Sequence, residues 1–108
     1  MNVKFFPSAL EELMEAADSY EHEVRGLGHS FLLEVERVAA LIGEFPFIGE
    51  RPDLTHRRVP LRRFPYALIF RHDGGTISVV AVAHRRRRPR YWAGRVHDRS
   101  MTSAEVSW

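Results

Sequence analysis

The chemistry available to this chain is concentrated near its end. His84, Arg85, Arg86, Arg87, Arg88, Pro89, Arg90, Tyr91 and Trp92 follow one another without a gap, and Arg95 lies just beyond. Cleavage of RNA by its own 2′-hydroxyl needs a base for that hydroxyl, cations for the charge that builds on phosphorus and an acid for the leaving oxygen. His84 is a candidate acid or base, with an unperturbed pKa of about 6.5. Guanidinium groups around Tyr91 would lower its pKa from about 10 and bring a phenolate base within reach. The same arginines also suit a role without chemistry, as a surface complementary to a polyanion or an acidic protein. Tyr91 and Trp92 are equally consistent with a terminal segment packing its aromatics on a sheet.

Other kinds of site find little support. His22, His29, His56, His72, His84 and His97 include no i,i+4 pair, and there is no cysteine, so neither a metal centre nor a disulfide framework is expected. Asp73-Gly74-Gly75 is too short for a phosphate-cradling loop and reads as a turn. No cofactor is expected.

Charge is distributed unevenly. Across 108 residues the net charge is +2, yet residues 1–50 hold ten acidic and three basic side chains and residues 51–108 hold four and thirteen. Fifteen of the sixteen basic residues are arginine, whose planar fork suits phosphate and carboxylate. A basic C-terminal half implies a polyanionic target, an acidic partner, or both. The length is that of one domain. No apolar run approaches the ~20 residues that span a bilayer, and Met1-Asn2-Val3-Lys4 opens no signal-peptide apolar region. A cytoplasmic protein without membrane contact is expected.

The elements that must position these residues follow from periodicity. Asn2 to Phe6 reads as a strand. Ser8-Ala9-Leu10-Glu11 forms a capping box, and Leu10, Leu13, Met14, Ala17, Tyr20 and Val24 then recur at helical spacing. Glu11, Glu12, Glu15, Asp18, Glu21 and Glu23 are expected to face water. Gly26 and Gly28 break this helix, and a second runs from about Leu27 to Phe45, carried by Phe31, Val35, Val38, Ile42 and Phe45. Pro46 to Thr55 is loop. Val59 and Leu61 alternate with polar neighbours as in a half-buried strand, which Pro60 places at an edge or a bulge. Tyr66–Arg71 and Ile77–Ala83 are the central strands of an antiparallel sheet, joined at Asp73-Gly74-Gly75. Pro89 starts a short terminal helix through Arg95, and residues 96–108 form a flexible tail. The expected class is α+β: an N-terminal strand and an antiparallel two-helix hairpin packed on a small, mostly antiparallel four-stranded sheet within a domain of residues 1–95.

Three strings resemble the RelE/ParE toxin superfamily. They are Ala9-x-x-Glu12-Leu13 with Tyr20 and Gly28-x-x-Phe31-Leu32-x-Glu34-Val35, then Arg58-x-x-x-Arg62-Arg63-Phe64-Pro65-Tyr66-Ala67-Leu68-Ile69-Phe70, and lastly Val80-Ala81-Val82-Ala83-His84-x-x-Arg87-x-Pro89-x-Tyr91-Trp92 with Arg95. Each is short, but their joint order in a chain of this length is specific, and Phe-Pro-Tyr and Pro-x-Tyr-Trp look more like the ParE branch. The resemblance implies a bacterial plasmid-stabilising or growth-inhibiting toxin neutralised by a cognate antitoxin in a hetero-oligomer. Its members either poison DNA gyrase or cut mRNA on the ribosome, and gyrase is the first reading here. For gyrase, Arg62, Arg63, Arg85, Arg86, Arg87, Arg88, Arg90, Trp92 and Arg95 would form the contact surface. For a metal-free endoribonuclease, Arg85 and Tyr91 match the catalytic spacing and His84 joins them. One departure counts against the nuclease: Ala67 stands where the mRNA-cutting pattern has an arginine, leaving Arg62, Arg63 or His56 to supply the charge. A third reading is an inactive antitoxin-binding homologue.

Overall fold

The computed structural model describes residues 1–95 and, for the backbone alone, residues 104–105. Strand β1 (Asn2–Phe5) leads into helices α1 (Pro7–Glu23) and α2 (Leu27–Glu44). These are followed by β2 (His56–Pro60), β3 (Tyr66–Asp73), β4 (Thr76–His84) and the two-residue β5 (Ala104–Glu105). The sheet order is β2-β3-β4-β1-β5. Only β1 and β4 run parallel; the other pairings are antiparallel. The α+β class and the helical hairpin on a mostly antiparallel sheet are therefore as the sequence predicts, with β5 added beside β1. Ala104 and Glu105 fall in the expected tail, where they pair with Phe5 and Lys4; the rest of that tail lies outside the described residues.

Both helices turn their apolar sides onto one sheet face. Phe31, Val35, Val38, Ala39 and Ile42 are buried from α2, and Ala9, Leu13, Ala16 and Ala17 from α1. A ring cluster closes one end of this layer. Tyr20 lies 5.3 Å from Phe31 and 5.1 Å from Phe64, and the Tyr66 ring is 5.2 Å from Phe31. The α1 stripe is rotated from the predicted one: Met14 and Val24 are exposed, and alanines take their place. Small residues let the helix approach the sheet closely, which brings the side chain of Glu12 within reach of the β4 backbone.

The start of α1 also differs. No capping box forms: Phe6 is the cap residue, no side chain bonds to the first turn, and the Ser8 hydroxyl is buried without a partner. Pro7 explains this. Its fixed φ starts the helix one residue early, and it has no N–H to satisfy, so Ser8 already lies inside the first turn. Of the two glycines expected to separate the helices, only Gly26 lies in the turn, at φ 87°. Gly28 lies within α2, where a Cβ would collide with the Ala17 carbonyl oxygen. Glu21 reaches across the turn and accepts bonds from the N–H groups of Gly26 (2.9 Å) and Gly28 (3.0 Å). It thereby satisfies free donors at the start of α2 from the preceding helix.

The β3–β4 hairpin turns at Gly74-Gly75, with Gly74 at φ 65°, and a bulge lies between Ile69 and Phe70. Strand β2 is an edge strand, as Pro60 requires. The expected terminal helix does not form. Residues 85–95 pass through successive turns closed by three-residue bonds, among them Tyr91 N–H to the Arg88 carbonyl (3.1 Å) and Arg95 N–H to the Trp92 carbonyl (2.9 Å). Arg90 at φ 58° is left-handed and interrupts any helix there. Among the described residues no helix is long and apolar enough to cross a membrane.

Gly28→Ala separates close packing from helix propensity. Propensity alone would stabilise α2 by about 1 kcal/mol, whereas crowding against Ala17 should cost about 1–3 kcal/mol. Thermal unfolding of the variant should begin at a lower temperature, and a raised midpoint would show that the two helices can part at no cost.

Candidate functional site

The turn segment after β4 folds across the sheet face opposite the helices. Trp92 anchors it: the indole is 4% exposed and its ring lies 4.7 Å from that of His56 on β2. His56 is buried in turn, and its Nδ1 meets the Asp53 carboxylate at 3.0 Å. Asp53 also accepts bonds from the Thr55 N–H (2.8 Å), the His56 N–H (2.7 Å) and the Arg90 guanidinium (3.0 Å). Desolvation pushes this carboxyl up, but these donors outweigh it and hold it well below the usual carboxylate range.

A second anchor comes from α1. Along β4, strand β1 reaches no further than Thr76–Val79, and Phe6 adds one bond to the Val79 carbonyl. Among the described residues, no strand lies beside that side of β4 beyond Val79. Two side chains replace the missing strand. The Val82 N–H donates to Glu12 Oε1 (3.0 Å), and Arg95 Nη1 donates to the Val80 carbonyl (2.9 Å). Arg95 also grips both oxygens of Glu12 at 3.0 and 3.1 Å, and the Tyr91 hydroxyl donates to Glu12 Oε2 at 2.7 Å. The sequence pattern places Glu12 in water, but it is half-buried and accepts from three different residues.

This arrangement reverses the expectation for Tyr91. Burial pushes its hydroxyl up, and the Glu12 carboxylate, by bond and by charge, pushes it further; Arg95 and Arg87 pull the other way and lose. A tyrosine that donates its proton to a carboxylate acceptor and ionises only above its ordinary range is a poor general base at neutral pH. His84 is no better placed. Its Nδ1 accepts from the Arg86 N–H at 3.0 Å, and its ring stands edge-on to Tyr66 at 4.9 Å.

The arginine run divides into two groups. Arg87 lies 3.9 Å over the Tyr91 ring, Arg90 bonds Asp53 and Arg95 bonds Glu12, so with Trp92 these build the segment. Arg85, Arg86 and Arg88 are exposed and make no ion pair among the described residues. Arg85 joins Arg58, Arg62 and Arg63 around one groove, and Arg58, Arg85 and Arg88 line the adjoining one. Arg86 lines neither. The loop bearing Arg62 is fixed by its own N–H, which donates to Glu34 at 2.8 Å. Ala67 is buried and lies opposite Pro60 and Ala83 in register. Ala67 itself therefore offers no charge; of the candidates to replace it, His56 is enclosed against Trp92, whereas Arg62 and Arg63 line the groove with Pro60 and Tyr66. Among the described residues no cluster could hold a metal ion.

Over residues 3–89 the sequence matches the family described as the ParE toxin of the type II toxin–antitoxin system parDE. The chain belongs to the ParE toxin family. A solved structure titled as the chromosomal ParDE toxin–antitoxin system from P. aeruginosa shares its fold. The two agree with a TM-score of 0.59 at 21% identity, over 78% of this chain and 95% of that one. No curated protein matches the sequence. The catalytic candidates of the sequence, Tyr91, Arg85 and His84, line one groove, where the Tyr91 hydroxyl is bonded to Glu12 and His84 Nδ1 to the Arg86 N–H.

Glu12, Arg58 and Asp53 are the residues of this site to which the sequence alone assigns no role. For Glu12 a signal exists: it lies three residues after Ala9 and four before Ala16, both buried, so it shares the face that α1 turns to the sheet. Removing this carboxylate should be costly. Glu12→Ala leaves the Val82 N–H, Tyr91 and Arg95 without their acceptor and should cost about 2–3 kcal/mol in denaturant unfolding. The exposed neighbour substitution Glu11→Ala should stay within about 0.5 kcal/mol. Equal losses would show that the Glu12 bonds contribute nothing.

Proposed function

We propose that this ParE family member arrests growth by inhibiting DNA gyrase and is held inactive by a cognate antitoxin. The observation that carries this reading is the Tyr91 hydroxyl, committed to Glu12 at 2.7 Å. A ribonuclease of this superfamily would need that group as a base, whereas an inhibitor of a topoisomerase needs only a complementary surface. The exposed arginines at 62, 63, 85, 86 and 88 supply one. Their charge also suits an antitoxin rich in acidic side chains, in keeping with thirteen basic against four acidic residues after position 50. The cytoplasm, where gyrase and its DNA lie, is the compartment this role requires.

The full chain, freed of antitoxin, is added to purified gyrase and relaxed plasmid. Supercoiling should fall with increasing toxin, and addition of the antitoxin should restore it. In parallel, labelled mRNA in a translation reaction should stay intact. Ribosome-dependent cuts together with unimpaired supercoiling would replace this reading with the endoribonuclease one. Neither effect, in cells that also grow normally while expressing the protein, would leave an antitoxin-binding homologue without toxicity.

A further inference from the structure

We propose that the face bearing Arg58, Arg62, Arg63, Arg85 and Arg88 binds the sugar–phosphate backbone of duplex DNA directly. This adds a nucleic-acid contact to the gyrase reading and rests on it for its purpose in the cell, but the binding itself needs no topoisomerase. Three elements converge on this face: β2 brings Arg58, the β2–β3 loop brings Arg62 and Arg63, and the turns after β4 bring Arg85 and Arg88. Arg58 and Arg85 border both grooves, so the two form one continuous basic surface. The turns are anchored through Trp92, Asp53 and Glu12, so the cations are presented on a fixed frame. Arg58 has an acidic neighbour, Glu50 at 3.5 Å, but Glu50 is 73% exposed, and such a contact is weak and easily exchanged.

The chemistry of the lining selects the ligand. Around the groove of Arg58, Arg62, Arg63 and Arg85, the remaining side chains are Pro60, Leu61, Phe64, Pro65 and Tyr66, so no carboxylate or amide acceptor is present. A phosphodiester backbone offers only acceptors and is fully served by such donors. A peptide backbone also carries N–H groups, and the natural way to satisfy them here, pairing with the outer edge of β2, is closed. Glu50 already exchanges both backbone bonds with Arg58, at 3.0 and 2.9 Å, and Pro60 has no N–H to offer. Single strands are held by stacking their bases on exposed aromatic faces, and this surface has no fully exposed ring. Phe64 and Trp92 are buried, Tyr66 packs toward the helices against Phe31, and Arg87 covers Tyr91. What remains is contact with phosphates alone, which suits a duplex.

The full chain is titrated against a short fluorescein-labelled DNA duplex, its single strand and a polyglutamate competitor, across salt from about 50 to 200 mM. Duplex should bind most tightly, and five phosphate contacts predict a log–log salt slope of about −4.5. The Arg58→Ala/Arg85→Ala double variant should bind roughly tenfold or more weakly, with a slope shallower by about 2. Lysines at both positions should restore the slope, and Arg25→Ala, an exposed arginine on the helical hairpin, should change nothing. Circular dichroism of each variant checks that the fold is kept. Binding unaffected by the double alanine variant would overturn the proposal. So would tighter binding of the single strand, or displacement by polyglutamate at lower charge concentration than by unlabelled duplex. Gyrase inhibition without duplex binding would remove this contact and leave the gyrase reading standing; duplex binding without gyrase inhibition would do the reverse.

Discussion

A single carboxylate, that of Glu12, settles how the C-terminal half of this protein is arranged. Strand β4 is longer than the strand beside it, so from Val80 onward its backbone would present unpaired groups at an open edge. Such groups are costly when buried and hazardous when exposed. Glu12 accepts from the Val82 N–H and Arg95 donates to the Val80 carbonyl, so an ion pair stands in for the missing strand. The same carboxylate holds the Tyr91 hydroxyl. Closing the sheet edge and fixing the turn segment are one event, and the same carboxylate pushes the ionisation of the Tyr91 hydroxyl above its ordinary range.

The uneven charge of the chain has a structural meaning as well. Acidic residues of α1 and α2 serve partly as internal acceptors: Glu12 for the terminal turns, Glu21 for the start of α2 and Glu34 for the loop that carries Arg62 and Arg63. Donors at both Glu21 and Glu34 hold these carboxyls below their ordinary value. The basic residues divide likewise. Arg87, Arg90 and Arg95 are spent on structure, and the exposed arginines of the loop and turns gather on one side. A run that reads as uniform in sequence is thus sorted by the partners that successive turns bring within reach.

Much of the fold is legible in the sequence because it rests on periodicity and punctuation. The helical hairpin, the central strands and the Gly74-Gly75 turn each follow from local pattern, and the family strings follow from their order. The failures share a cause: they concern residues whose environment is made by other parts of the chain. Ser8 resembles a cap until Pro7 starts the helix ahead of it. Gly28 resembles a helix breaker, but close contact with Ala17 is what its missing side chain permits. Glu12 looks solvated because its partners lie about seventy to eighty positions away. Tyr91 looks like a candidate base because its nearest neighbours in sequence are arginines, while its hydrogen-bond partner in space is a carboxylate. Ala67 is informative as it stands: a small buried residue between two paired strands offers no charge to a phosphate.

The ionisation of Tyr91 is the most direct test of the Glu12 lock. Tyrosines labelled with ¹³C at the ring carbon bearing oxygen report deprotonation as a change in chemical shift, and Tyr91→Phe assigns the signal. Tyr91 should remain protonated past the ordinary tyrosine value of about 10, for as long as the fold persists, and Glu12→Gln should bring its titration down. Ionisation of Tyr91 near neutral pH would contradict the lock and return this residue to the role of a catalytic base.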